Sequence, residues 1–172
     1  MTAYSPATAD TDSMTSDFLS SGSESSCTVK GRHVSLIGDV GTKKVRNSLG
    51  GASRTAIVSD LLPLALHALS RSPEHQMTPL YVLQCNYEDE ASGNDADLGQ
   101  FLDQHAGESL VWMPVAANTS LLINALRRAL PVNGDSRLAN MTMLYVGDVG
   151  VRQALQQLCQ ACGMTFCFQA AF

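Results

Sequence analysis

From Thr55 onward, stretches with helical periodicity alternate with short runs that are apolar at nearly every position, and this alternation restricts the chain more than any other feature. A strand that reads apolar throughout is one covered on both faces, which is the habit of parallel sheets flanked by helices. Ser59 or Asp60 offers a cap for a helix with Pro63 in its first turn, where the missing N–H costs nothing, and with Leu62, Leu66 and Leu69 on one face. That helix is expected to stop near Ser70, ahead of Pro73. The next runs are Pro79–Cys85, Ser109–Val115, Met141–Val146 and Met164–Phe168, each read as a strand. The helices between them carry Leu98, Phe101 and Leu102, then Leu121, Leu122, Ala125 and Leu126, then Val151, Leu155, Leu158, Cys159 and Cys162. Gly107 and Gly163 stand where a left-handed terminator belongs, and Asn118 and Asp148 where side-chain caps belong. The expectation is a small three-layer α/β domain over residues 55–172, with a mostly parallel sheet and right-handed crossovers. It has four strands, or five if Val34–Ile37 joins.

The N-terminal third is different. Residues 1–29 contain four acids, no bases and few large apolar groups, so burial there cannot offset an ordering cost of about 1–2 kcal/mol per residue. They read as a disordered tail, with Phe18-Leu19 as a short sticky element. Residues 30–54 hold six bases against Asp39 and five glycines, and read as a basic linker. Residues 55–172 have five bases and eleven acids, which leaves no electrostatic footprint for duplex nucleic acid. No window reaches the roughly 18 apolar residues of a spanning helix, and Met1–Ser26 has neither a basic n-region nor an apolar h-region. The expected compartment is the cytoplasm, and no membrane partner is expected. Five cysteines at uneven spacing fit reduced, packing thiols better than a disulfide framework.

Spacing argues against the common reactive centres. Gly38-Asp-Val-Gly41-Thr-Lys43-Lys44 follows an apolar patch, but its glycine gap is two where a phosphate loop needs four, and no dinucleotide fingerprint occurs. The Gly-Asp-Val-Gly of 38–41 recurs at 147–150, where turn and capping chemistry accounts for it. Cys159-x-x-Cys162 with Cys167 supplies three thiols on a helix and a strand, short of the four loop ligands of structural zinc, so a core role is expected. His33, His67, His75 and His105 are dispersed, and no serine lies in a nucleophile elbow. The acidic stretch Asn86–Asp97 lacks calcium-loop spacing and reads as a solvated loop. No cofactor and no metal are expected.

The order of segments from Ile57 to Ala170 resembles the bacterial cell division inhibitor SulA family. The residues that carry the likeness are Leu61-Leu-Pro-Leu-Ala-Leu-His-Ala-Leu69, the strand Leu80–Cys85, a helix ending at Gly107 and the strand Leu110–Val115. The helix ending Asn124-Ala-Leu-Arg-Arg-Ala-Leu130, a strand opening into Gly147, a long helix, and a last strand after Gly163 complete it. The resemblance implies a truncated RecA-like fold without nucleotide chemistry. It also implies a non-enzymatic inhibitor made in the SOS response to DNA damage, which binds FtsZ and blocks its polymerisation by occlusion. Homodimerisation and degradation by the Lon protease are implied as well. Partner contacts are then expected at the strand end, Gln84 and Cys85, at the aromatic helix position, Phe101 with Leu102, and along the next strand at Leu110 and Trp112. The basic positions of the family are not matched, since Gln76, Met77 and Thr78 precede one strand and Glu108 and Ser109 the other. Trp112 with Met113 is either an exposed anchor or core. The terminal Gln169-Ala-Ala-Phe172 reads as an unpaired protease-recognition tail or as frayed end. The alternative function is a RecA-related ATPase or nucleic-acid accessory protein, with Lys43, Lys44 and Arg46 on phosphate.

Overall fold

A computed structural model describes residues 24–29, 31–37, 54–85, 94–116, 118–131 and 136–171. Six strands form one sheet in the order of the chain: β1 (Glu24–Val29), β2 (Arg32–Ile37), β3 (Leu80–Cys85), β4 (Leu110–Ala116), β5 (Met141–Gly147) and β6 (Thr165–Ala170). β1 and β2 make an antiparallel hairpin, and every later pairing is parallel. Four helices connect β2 to β6: α1 (Arg54–Ser70), α2 (Asn94–Gln104), α3 (Thr119–Ala129) and α4 (Arg152–Cys162). The expected α/β class, three layers and mostly parallel sheet are all present.

The strand pattern explains the layers. Val34, Leu80, Val82, Val111, Met113, Leu144 and Val146 project to one face, where they bury against Val58, Ala65, Ala68 and Leu69 of α1. Leu83, Leu110, Trp112, Met141, Met143 and Tyr145 project to the other, under Phe101 and Leu102 of α2, Leu122 and Leu126 of α3, and Leu155 and Cys159 of α4. Alternation on each strand therefore feeds two cores, which is why the strands read as unbroken apolar runs. Asn118 caps α3 as expected, its Oδ1 accepting from Leu121 N at 3.2 Å. Two expected caps need correction: Asp148 Oδ1 accepts from Gly150 N at 2.8 Å and caps the short 3-10 turn Val149–Val151 rather than α4, whose cap position Val151 makes no side-chain bond, and Ser59 and Asp60 lie inside α1 rather than at its start. Gly107 and Gly163 adopt φ of 90° and 82°, the left-handed region that an L side chain resists.

Element boundaries need correction in several places. The tail ends earlier than residue 29, because Glu24–Val29 pairs with β2 across a turn in which Gly31 takes φ 80°; residues 1–23 and 38–53 lie outside the described residues. α1 begins at Arg54 inside the supposed linker, so Pro63 is the tenth residue of a 17-residue helix rather than part of its first turn. There it withholds the N–H that would bond the Ser59 carbonyl. α2 likewise starts at Asn94, within the stretch read as loop, while residues 86–93 lie outside the described residues. At the other terminus, Gln169 and Ala170 belong to β6, opposite Val146 and Gly147, and the Ala171 N–H donates to the Gly147 carbonyl at 3.1 Å, so this end is paired as far as Ala171; Phe172 is outside the described residues.

The crossovers are also not uniform. Strand order advances one place in one direction at each connection, yet α1 lies on one face and α2, α3 and α4 lie on the other. The β2–α1–β3 connection therefore has the opposite hand to the other three, and the four cannot all be right-handed. The rule of hand comes from a twisted strand feeding directly into its helix. Sixteen residues, 38–53, separate β2 from α1 and relax that constraint.

Candidate functional site

The six positions expected to touch a partner separate into an interior group and a divergent pair. Phe101, Leu102, Leu110 and Trp112 are together, but all are buried in the core beneath α2 and α3, and Trp112 is 0% exposed. This corrects their reading as contact residues and settles Trp112 as core. Phe101 and Trp112 stand 6.0 Å apart between ring centroids, and Tyr81 and His105 pack against Phe101 at 5.7 and 4.8 Å. The Trp112 indole N–H, which needs a partner once buried, donates to Met164 Sδ at 3.3 Å. Gln84 and Cys85 are half-buried at the carboxyl end of β3. As successive strand residues they project to opposite faces of the sheet, so they do not form one flat patch. Lys43, Lys44, Arg46 and the Gly38–Gly41 turn lie outside the described residues.

The amino-terminal edge of the sheet carries a feature that sequence reasoning missed. Arg32, the first residue of β2, is 5% exposed. Its guanidinium donates from Nη1 to the Thr78 carbonyl at 2.6 Å and from Nη2 to the Gln76 carbonyl at 3.0 Å. Burial lowers its pKa from the usual value, as it does for a cation withdrawn from water. The two carbonyls it holds flank Met77, a residue that is 81% exposed. A desolvated cation thus fixes a loop that presents an apolar side chain to solvent. The partners are 44 and 46 residues from Arg32 in sequence, so no local pattern announces them. Nearby on the same edge, His105 Nδ1 lies 2.8 Å from Glu108 Oε2, and the His105 ring rests on Tyr81 at 4.7 Å.

One serine–histidine pair among the described residues has hydrogen-bond spacing. Ser35 Oγ lies 3.1 Å from His33 Nε2, the spacing of a nucleophile and its base, but Ser35 is 0% exposed and no substrate reaches it. Its hydrogen bond satisfies a buried hydroxyl. Among the described residues no three His, Cys, Asp or Glu side chains gather to hold a metal ion. Among them, too, no helix is long and apolar enough to cross a membrane.

The thiols follow burial. Cys159 and Cys162 are 0% exposed and Cys27 is exposed. Burial, with the charge of Cys162 nearby, pushes the Cys159 thiol from 9.0 up to about 12. Above pH 9 the unfolded chain sheds this proton while the folded chain keeps it, so the unfolded state binds fewer protons and stability falls as pH rises. For this one group the slope is up to about 1.4 kcal/mol per pH unit. Urea midpoints measured at pH 8 and pH 10 should drop in the parent and drop less in Cys159→Ala. Equal slopes would mean that Cys159 is not the buried thiol responsible.

Compared with protein-family models, with curated proteins and with solved structures, the chain has no match in any of the three.

Proposed function

We propose that the chain is a non-enzymatic inhibitor of bacterial cell division that binds FtsZ and blocks its polymerisation by covering the surface through which one subunit meets the next. The observation that carries this reading is the succession α1–β3–α2–β4–α3–β5–α4–β6, which follows in order the segments of the SulA-family resemblance within a small, mostly parallel α/β domain. An occluding binder needs area and rigid apolar anchors, and no bond has to be made or broken. Met77, held outward by Arg32, is such an anchor on a rigid loop, where little ordering entropy remains to be lost on contact. SOS-induced synthesis, a cytoplasmic site of action, a homodimer and turnover by Lon belong to the same proposal.

FtsZ sedimentation and GTPase activity, measured with increasing protein, test it. Both should fall as the protein approaches stoichiometry, and no loss of either at excess removes the proposal. Within that assay Met77→Glu should raise the half-inhibitory concentration at least tenfold with an unchanged melting temperature. Full inhibition by the variant would place the contact elsewhere.

A further inference from the structure

The sheet ends on β6, and among the described residues no strand lies beyond it. The Ala171 N–H bonds to the Gly147 carbonyl of β5. By the alternation of a parallel ladder, the backbone groups of Thr165, Cys167 and Gln169 also turn toward β5, and those of Phe166, Phe168 and Ala170 turn outward. The Gln169 side-chain amide donates to the Ala170 carbonyl at 2.9 Å and closes that end of the edge. Phe166 and Phe168 thus present N–H and C=O groups where no described strand receives them. Natural sheets guard such an edge with charge, proline or a bulge. Thr165-Phe-Cys-Phe-Gln169 has no charged residue and no proline, and its register with β5 runs without a bulge. The opposite edge, β1, begins on Glu24 and is polar at Ser25, Ser26 and Thr28.

We propose that β6 is the interface with a second copy of this chain, the two strands pairing antiparallel about a twofold axis through Cys167. The sequence of the strand decides the occupant. A twofold interface must be complementary to itself. Thr165-Phe-Cys-Phe-Gln169 is aromatic on either side of Cys167 and polar beyond, so the strand matches its own reversed copy position by position. Phe166 then lies opposite Phe168 of the second copy. These are the residues whose backbone groups turn outward, and such opposed residues exchange both N–H···O bonds in an antiparallel ladder. Both rings lie on the face under α2, α3 and α4, half-buried, so the cross-strand aromatic pairs form on one side of the joined sheet. Cys167 meets its own copy at the position without hydrogen bonds, where Cα atoms are about 4.5 Å apart. α4 and α1 pack against β6 from opposite faces, so an axis normal to the sheet brings each helix toward its copy and adds area beyond the strands. The inference deepens the reading above and rests on it for the expectation of a homodimer; the face and the register come from β6.

Sedimentation velocity of the full chain over micromolar concentrations, with no FtsZ present, should show a dimer. Diamide, which takes two protons and two electrons from a pair of thiols, should link the copies through Cys167, because a Cα separation of about 4.5 Å is within disulfide reach. Alkaline pH suits the reaction, since burial raises the Cys167 pKa. The link should persist when Cys27 and Cys85 are both replaced by serine and vanish in Cys167→Ser. Charge tests the register, because Thr165 falls opposite Gln169 of the second copy. Thr165→Lys with Gln169→Lys sets like charges against each other and should weaken the dimer at least tenfold, whereas Thr165→Lys with Gln169→Glu should keep it. If the first of these does not fold, the Cys167 link in the parent still decides. A dimer linked through Cys27 or Cys85, a dimer that Cys167 does not link, or the two charge variants behaving alike overturns this face and leaves the homodimer standing. A monomer at every concentration removes both, and the FtsZ assay is read separately in each case.

Discussion

Trp112→Ala is expected to lower the stability of the fold by about 3–5 kcal/mol, the range for removing a fully buried large aromatic side chain. The indole is 0% exposed at the centre of the face beneath α2, α3 and α4, and Phe101, Met143 and Met164 all pack on or bond to it. Two losses add. The transfer energy of the ring is forfeited, and the space it leaves is lined by neighbours on α2, on β5 and in the turn after α4 that cannot all move inward together. Native domains have only about 5–15 kcal/mol in hand, so this single change brings the chain close to unfolding at ordinary temperature. Trp112→Phe separates the contributions: it keeps most of the apolar volume and gives up the N–H donated to sulfur, and should cost about 1–2 kcal/mol. Far-UV circular dichroism in urea is the appropriate measurement, because the variants have no tryptophan to observe. A cost under about 1 kcal/mol for Trp112→Ala would mean that the ring is solvated and free to serve as a contact.

Why the sequence left Trp112 ambiguous, while it gave most elements correctly, has a physical cause. Helix periodicity, caps and glycine terminators are local signals, and α3, α4, the cap at Asn118 and the stop at Gly163 were readable from them. β4 was readable as a strand because it is apolar at every position. That same uniformity hides which residues face which layer and how deeply each is covered. Depth depends on helices far away in sequence, so Phe101, Leu102, Leu110 and Trp112 could be grouped by pattern but not recognised as interior. β1 was missed for the opposite reason. Ser25-Ser-Cys-Thr28 has the composition of a tail, and only pairing with β2 through the Gly31 turn makes it a strand. The Arg32 clamp was invisible because its acceptors are backbone carbonyls, which have no sequence signature at all.

The hand of the first crossover bears on stability as well as topology. Among the described residues α1 is the one helix on its face of the sheet, so that core rests on a single element. Leu69, 0% exposed near the end of α1, packs in this core with Leu80 and Val82 of β3 and Met113 of β4. Leu69→Ala should therefore cost about 3–5 kcal/mol, at the upper part of the range for such truncations. With no second helix packed against α1, the alternative would be for α1 to sink onto the sheet. Apolar side chains on both sides of the exposed Pro63 fix the seat of α1, since Leu61, Leu62, Leu64 and Leu66 are already half-buried against this core. Leu62→Ala makes the comparison, since a half-buried side chain has less apolar area to lose and should cost about 1 kcal/mol. Urea unfolding of the two variants, read as the shift in midpoint at constant slope, distinguishes the cases. Equal costs at Leu62 and Leu69 would show that α1 settles into the gap, and that the face opposite α2, α3 and α4 is held by more than this one helix.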